Sequence, residues 1–423
     1  GVMLALSDVA SGQRQPNRRW WLQSIGIYLG IALGAGFIFA VIHAARLALG
    51  TAMQGGSQVT VESLSSYLVS YIYDYYLVAF ILLLVLAWSL WRLLPARSTA
   101  WTGRGWLTGV TAIVVSVVVA LFINQVNVAL VRADTFYKQG QAYDAAGQWD
   151  GAIYLYDRAI EIAPYEDYYY LFLGRSMLEK AKSVDDPKRQ QEWLDQAEAV
   201  LTAAQRLNPL NTDHTANLAR YYRSRGELSD NVDERRKEWL TSLQLYRMAT
   251  TLSPNAAHLY NETGLIDYLL GDLEKSEGNA SAADQYFDQA QAMYDKSLSL
   301  DQVFAQTYLF LGDLYRTRGQ NDRAIATYQK ATEVSPGLIQ AWSALAFLYV
   351  QADRLPEAIA ANEQVIRLNP RDPLAWRNLA LLYEQTKQLP EALEAAQRAL
   401  ELASNADKPQ LETIVQRIKE LQP

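Results

Sequence analysis

The sequence contains no cysteine and only three histidines among 423 residues. Without cysteine, the chain can form neither disulfides nor thiolate metal sites. His43, His214 and His258 fall in different predicted elements, and none has a second ligand at a metal-binding spacing. The sequence also lacks a phosphate-cradling glycine loop and a nucleophile elbow. We therefore predict no cofactor, no metal and no enzymatic activity.

Acidic residues outnumber basic ones after residue 132. Residues 1–132 carry eight Lys or Arg and three Asp or Glu, a formal charge of +5, whereas the whole chain carries −7. The remainder therefore carries −12. Nucleic-acid binding needs basic surfaces, so this acidic part argues against DNA or RNA as a partner.

What the first 132 residues do contain is three long apolar runs, at about 21–45, 75–94 and 106–130. Each is long enough to cross a bilayer, which takes about 20 residues. Tryptophans and tyrosines at their ends are typical of the membrane interface. We predict that residues 1–132 form a membrane domain of three transmembrane helices in contact with the lipid bilayer.

Six arginines predict the orientation of these spans: Arg14, Arg18 and Arg19 before the first, and Arg92, Arg97 and Arg104 between the second and third. Positive charge favours the cytoplasmic side, so the N-terminus is expected there. Three crossings then place the rest of the chain outside the cytoplasm, attached to the cell (inner, cytoplasmic) membrane. The alternative is a re-entrant third run, which would return the rest to the cytoplasm.

The first run has glycines at every fourth position, Gly26, Gly30 and Gly34, which share one helix face. Small residues allow another helix to approach closely. This stripe is predicted to pack either within the three-helix group or against another membrane subunit.

Residues 133–404 repeat a pattern of aromatic, small and proline positions. The last three repeats recur with a period of about 34 residues. Their small positions are Gly312, Ala346 and Ala380. This pattern closely resembles the tetratricopeptide repeat (TPR). The resemblance implies an all-α fold, a right-handed superhelix of about seven helix pairs, and a groove that binds proteins or peptides. Residues 405–423 are predicted to form a C-terminal capping helix, because a solenoid must cover its last apolar face.

Three repeats in the middle of this region are longer than the others. Each exceeds the ordinary period by roughly 11–14 residues, which is about three to four helical turns. Longer helices of this kind would keep their buried face in register. We predict lengthened helix hairpins, with a helix start at Asp186 and Pro187. A disordered insert is the alternative.

The TPR resemblance also implies which positions of each first helix line the groove. The candidate partner-binding residues are Tyr137, Gln141, Arg175, Arg220, Asn261, Asp313, Phe347 and Arg377. The Lys and Asn pair with which some TPR domains clamp a chaperone's C-terminus is absent here, which disfavours that role. Arg175 and Arg220 fall at equivalent positions and could grip an acidic segment, or they could simply be solvated.

Residues 132–164 and 168–179 also resemble the C-terminal region of bacterial O-antigen ligase/polymerase-like membrane proteins. With three spans, however, the extracytoplasmic loop that carries that family's catalytic residues is missing. Two hypotheses follow. The first is a non-enzymatic membrane-tethered scaffold, or an accessory subunit of a larger membrane complex. The second is the C-terminal portion of a glycan-transferring enzyme, which the non-Met residue Gly1 leaves open.

Overall fold

The computed structural model describes residues 69–70, 72–81 and 105–421, and every regular element in these ranges is a helix. Contacts within the chain divide it between Leu207 and Asn208 into two compact units. Each unit is described by itself.

The first unit contains six α-helices and one π-helical turn in its described part. They are α1 (Ile72–Ile81), α2 (Gly105–Phe122), the π turn (Ile123–Val128), α3 (Ala129–Ala145), α4 (Trp149–Ile162), α5 (Asp167–Lys182) and α6 (Pro187–Leu207).

The helices α2 and α3 are joined without a break. The residues that flank the π turn, Phe122 and Ala129, both have helical backbone angles. No glycine or proline occurs between Val110 and Gln139 to interrupt the chain. The apolar helix and the first helix of the first repeat are therefore one rod.

This rod contains the one stretch, among the described residues, that is long and apolar enough to cross a membrane by length and composition. It covers residues 113–145, and its most apolar window has a mean hydropathy of 2.3. The first predicted span, with Gly26, Gly30 and Gly34, lies outside the described residues, and the second is described only as far as Ile81. The three-span arrangement therefore stays a prediction.

Polar side chains connect α1 to the π turn. The Tyr73 hydroxyl donates a hydrogen bond to Asn124 Oδ1 at 2.6 Å, and the Asn127 amide donates one to the Tyr76 hydroxyl. A π turn has one residue more per turn than an α-helix, and such turns recur at functional sites. Here the turn carries the amides that bind α1.

The second unit contains eleven α-helices in its described part. They are α7 (Thr212–Leu228), α8 (Val232–Leu252), α9 (Ala257–Ser276), α10 (Ala280–Leu300), α11 (Ala305–Thr317), α12 (Asn321–Val334), α13 (Ile339–Gln351), α14 (Leu355–Leu368), α15 (Pro373–Gln385), α16 (Leu389–Leu402) and α17 (Lys408–Leu421). With α3/α4 and α5/α6 of the first unit, the helices up to α16 form the seven predicted hairpins.

Three of these hairpins are longer than the others. Their first helices, α5, α7 and α9, have 16, 17 and 20 residues, against 13 in α11, α13 and α15. Their second helices, α6, α8 and α10, have 21 residues, against 14 in α12, α14 and α16. The extra residues therefore extend helices, as predicted, and are not a disordered insert. The predicted start of α6 is also confirmed, since Lys188 N–H donates to Asp186 Oδ1 at 3.0 Å.

Within a hairpin, a small residue on the first helix contacts a large residue on the second. A Cβ placed on Gly312 would lie 2.5 Å from the ring of Tyr328, and one on Gly264 would lie 2.7 Å from the ring of Tyr294. Both tyrosines are fully buried. The glycines thus let the two helices approach closely enough to enclose an aromatic ring, which buries roughly 150–250 Å² of surface.

The last hairpin is covered by α17, as predicted. Leu411, Ile414, Val415 and Ile418 are buried and form one cluster with the alanines of α16. This helix removes the apolar face of the final repeat from water.

Candidate partner-binding surfaces

In the first unit, the groove candidates Tyr137 and Gln141 lie one turn apart on α3. The Gln141 amide donates a hydrogen bond to the Tyr137 hydroxyl at 3.0 Å. The Tyr137 ring contacts those of Tyr169 and Phe172, with centroids 5.2 and 5.1 Å away. Burial raises the pKa of Tyr137, so its hydroxyl stays protonated and can donate a hydrogen bond. These residues form an aromatic floor with a polar edge.

Arg175 lies on α5 beside this floor and is exposed. Its guanidinium stands over the Phe172 ring, 5.3 Å from the centroid. Stacking on an aromatic face holds an arginine in place while its N–H groups stay available. The structure therefore brings Tyr137, Gln141 and Arg175 together into one surface that can bind a carboxylate or a row of carbonyl groups.

In the second unit, Arg220 lies on α7, half-buried, and donates to Asn217 Oδ1 at 2.9 Å. Nearby, the Glu262 carboxylate accepts hydrogen bonds from Arg223 at 3.0 Å and from the Tyr246 hydroxyl at 3.2 Å. Arg223 and Glu262 were not among the predicted site residues. They tie α7 to α9 on the side where Arg220 lies.

Asn261 departs from its predicted role. It is only 2% exposed, and its Oδ1 has no hydrogen-bond partner among the described residues. Equivalent positions in neighbouring repeats, such as Ala216 and Leu309, are also buried in the core of this unit. This position on the first helix of these repeats is thus a packing position, and Asn261 cannot present its amide to a partner.

Asp313 is half-buried and already bound to its own repeat. It accepts a hydrogen bond from the Tyr328 hydroxyl at 2.6 Å and pairs with Arg316 at 3.3 Å. Burial raises the pKa of Tyr328, with the Asp313 charge as the next cause. Asp313 therefore acts first as an internal acceptor, and its remaining oxygen is the part that a partner could reach.

The surface of α13 and α15 is apolar. Phe347 is 53% exposed, and Val350 on the same helix and Leu381 on α15 are also exposed. Phe347 and Leu381 hold the same position in consecutive repeats. Arg377 lies one turn before Leu381 and is half-buried. This part of the groove suits an apolar side chain.

Sequence reasoning missed Phe172 and Glu262, which occupy the same repeat position, two residues before the small glycine of the first helix. In both cases the tyrosine of the neighbouring second helix contacts this position, as Tyr246 contacts Glu262. Comparing the repeats at that position would have identified it.

No group of three or more metal-ligating side chains is assembled anywhere in the described ranges. Three family models match the chain, all of them described as tetratricopeptide or TPR repeats. They cover residues 133–166, 312–353 and 345–419. The chain therefore contains tetratricopeptide repeats, which generally serve as protein-interaction scaffolds.

Several solved structures are similar to this chain in fold. The thermophilic TPR protein TTC0263 of Thermus thermophilus is 19% identical, covers 52% of this chain and 99% of its own, and has a TM-score of 0.40. A TPR protein from Parabacteroides merdae is 16% identical, covers 68% of this chain and 98% of its own, with a TM-score of 0.42. YrrB, described as a TPR protein with an unusual peptide-binding site, is 18% identical, covers 52% and 97%, and has a TM-score of 0.35.

No curated protein matches the chain. The resemblance to O-antigen ligases thus gains no support from these comparisons.

Proposed function

We propose that this protein is a membrane-anchored scaffold whose TPR repeats bind protein or peptide segments outside the cytoplasm. One observation carries the proposal: an apolar helix with no polar face continues directly into the first TPR hairpin.

The exposure of α2 supports the anchoring. Val114, Val115, Val117 and Val118 point in different directions around the helix, and each is more than half exposed. A helix on the surface of a water-soluble domain has a polar face. Moving the surface of a helix that is apolar on all sides from water into lipid is favourable by about 25 cal/mol for each Å² of apolar area. This helix therefore suits a hydrocarbon surrounding.

The distribution of arginines supports the orientation, because the basic residues before the first run and between the second and third runs favour the cytoplasmic side. The repeats would then lie on the other side, held close to the membrane by a rod without a hinge. A rigid connection would keep a bound partner at a constant height above the bilayer.

The two surfaces predict the chemistry of the partner. In the first unit, Arg175 above its aromatic floor suits an acidic segment. In the second unit, Phe347, Val350 and Leu381 suit an apolar side chain. Aromatic and arginine side chains that become buried against a partner usually contribute most of the binding free energy.

The absence of cysteine makes topology straightforward to measure. A single cysteine is introduced at Glu412, which is exposed on α17, and intact cells are treated with a membrane-impermeant maleimide. We expect labelling without lysis and retention of the protein in carbonate-washed membranes. Labelling only after lysis would overturn the extracytoplasmic placement, and release by carbonate would overturn the anchoring.

Partner binding is tested by comparing what co-purifies in mild detergent. Arg175→Glu and Phe347→Ser should each lose partners. Their matched controls are Arg189→Glu and Val303→Ser, which change exposed residues outside the groove positions. Equal recovery of all partners with Arg175→Glu and Phe347→Ser would show that these surfaces do not bind them.

A further inference from the structure

The loop between α4 and α5 lies at the membrane end of the first hairpin. Three contacts give the register of the antiparallel helices α3 and α4: Gly140 with Tyr156, Tyr143 with Gly151, and Phe136 with Arg158. Because the two helices are antiparallel, a step forward along α4 matches, on average over these pairs, a step of equal length back along α3. Continued to Ile162, the last residue of α4, this register places the end of the helix level with Ala133, and Tyr165 follows in the turn three residues later.

Leu130 is the last residue of the apolar run, and Arg132 is the first charged residue after it. Ala133, which is level with the end of α4, lies three residues after Leu130, or about 4.5 Å at a rise of about 1.5 Å per residue. The loop therefore stands at the height at which the rod leaves the hydrocarbon. This argument rests on the anchoring under Proposed function.

Two tyrosines in the first turn of α5 hold the loop in position. The Tyr169 hydroxyl donates to Asp134 Oδ1 at 2.8 Å, which fixes the start of α5 to α3. The Tyr170 hydroxyl donates to the carbonyl oxygen of Pro164 at 3.1 Å. Both contacts fix the position of Tyr165 relative to the rod, so the loop cannot move away without breaking them.

Two tyrosine side chains at this end of the hairpin are exposed. Tyr165 is 87% exposed and Tyr168 is 45% exposed. A tyrosine ring left in water is unfavourable, whereas a ring with a polar edge is favoured among lipid headgroups. We propose that Tyr165 and Tyr168 insert into the headgroup region of the bilayer that α2 crosses, so that the first TPR hairpin rests on the membrane surface.

This second contact has a mechanical consequence. A rod alone fixes the distance between membrane and repeats but leaves its tilt to the bilayer. A loop inserted beside the rod adds a second point of attachment. The first hairpin would then have a defined orientation over the lipid, and so would its surface around Arg175.

The test uses the full chain in vesicles of a phosphatidylcholine and phosphatidylglycerol mixture. Single cysteines at Tyr165, Tyr154 and Val118 carry an environment-sensitive fluorophore, and nitroxide lipids labelled in the headgroup or the acyl chain quench it. Tyr154 is the matched control, because it is also an exposed tyrosine but lies about two helical turns before the end of α4, away from the membrane. Val118 reports on the anchor itself.

We expect headgroup nitroxides to quench the label at position 165 and shift its emission to the blue, while the label at 154 stays unquenched. Acyl-chain nitroxides should quench the label at 118. Quenching at 118 with none at 165 overturns the loop insertion and leaves the anchoring intact. A blue shift at 165 without quenching also overturns the loop insertion, because it indicates contact with protein and not with lipid. Absence of quenching at 118 overturns the anchoring.

Discussion

Replacing Asp267 by asparagine should remove a pH-dependent weakness from the second unit. Asp267 lies on α9, is 1% exposed, and neither carboxylate oxygen has a hydrogen-bond partner among the described residues. Its nearest cation is Arg247, at 3.6 Å. Burial raises the pKa of Asp267 to about 7, although the charge of Arg247 acts in the opposite direction. The carboxyl group is thus neutral in the folded protein at mildly acidic pH.

The sign of the effect is opposite to that of a typical aspartate. Between the ordinary pKa of 3.8 and the folded value of about 7, the folded state binds more protons than the unfolded state. Stability therefore falls as the pH rises through this interval and stays low above it. Each pKa unit corresponds to about 1.4 kcal/mol, so raising the pH from 5 to 8 should cost on the order of 3 kcal/mol. An asparagine does not titrate and should avoid this loss.

Hydrogen exchange of the α9 amides, corrected for the intrinsic rate at each pH, measures this local stability. In the unmodified protein, exchange through opening of this helix should accelerate roughly 100-fold between pH 5 and pH 8, since about 1.4 kcal/mol is a factor of ten. Asp267→Asn should exchange at nearly the same corrected rate at both pH values. Asp272→Asn, which changes an exposed aspartate farther along the same helix, should behave like the unmodified protein. Parallel pH profiles for Asp267→Asn and the unmodified chain would refute the reasoning.

Three further substitutions test the packing of the second unit, each followed by denaturant or thermal unfolding in mild detergent. Gly312→Ala should lower the free energy of unfolding by about 1–3 kcal/mol, because the added methyl group would overlap a buried ring. The control Gly337→Ala should be neutral, because there is open space around Gly337. Equal effects would contradict the close approach of the helices. Tyr328→Phe should cost about 1–2 kcal/mol, because the Asp313 carboxylate loses the shorter of its two hydrogen bonds. Tyr294→Phe should be neutral or stabilising, because its buried hydroxyl has no partner among the described residues. A larger loss from Tyr294→Phe would show that its hydroxyl is bound. Lys387→Gly should raise the free energy of unfolding by about 1 kcal/mol, since Lys387 has a φ of 61° and a residue with a side chain is strained in this conformation. A loss of stability would indicate that the lysine side chain makes a stabilising contact.

The repeats could be predicted because their pattern is local. Small, aromatic and proline positions recur at a fixed spacing, and each has one physical task within a hairpin. The lengthened hairpins were also predictable, because an insertion of about three helical turns preserves the buried face of both helices. The groove was less accessible to this reasoning. Asn261 follows the pattern of a groove residue, but whether a side chain faces a partner or the neighbouring helix depends on packing between repeats.

The sequence alone determined the all-helical class, the number of hairpins and the capping helix, because helix periodicity and turn residues act over a few positions along the chain. The three-span topology and the orientation rest on the same kind of local information and remain predictions. Only the tertiary structure decided that the apolar helix and the first repeat are one rod, that Arg175 is stacked on Phe172, that Asp267 is buried, and that α4 ends level with Ala133. The first two depend on backbone and side-chain conformations within one helix that the residue pattern leaves open. The last two depend on which residues meet across different helices, and spacing along the chain does not encode such distances.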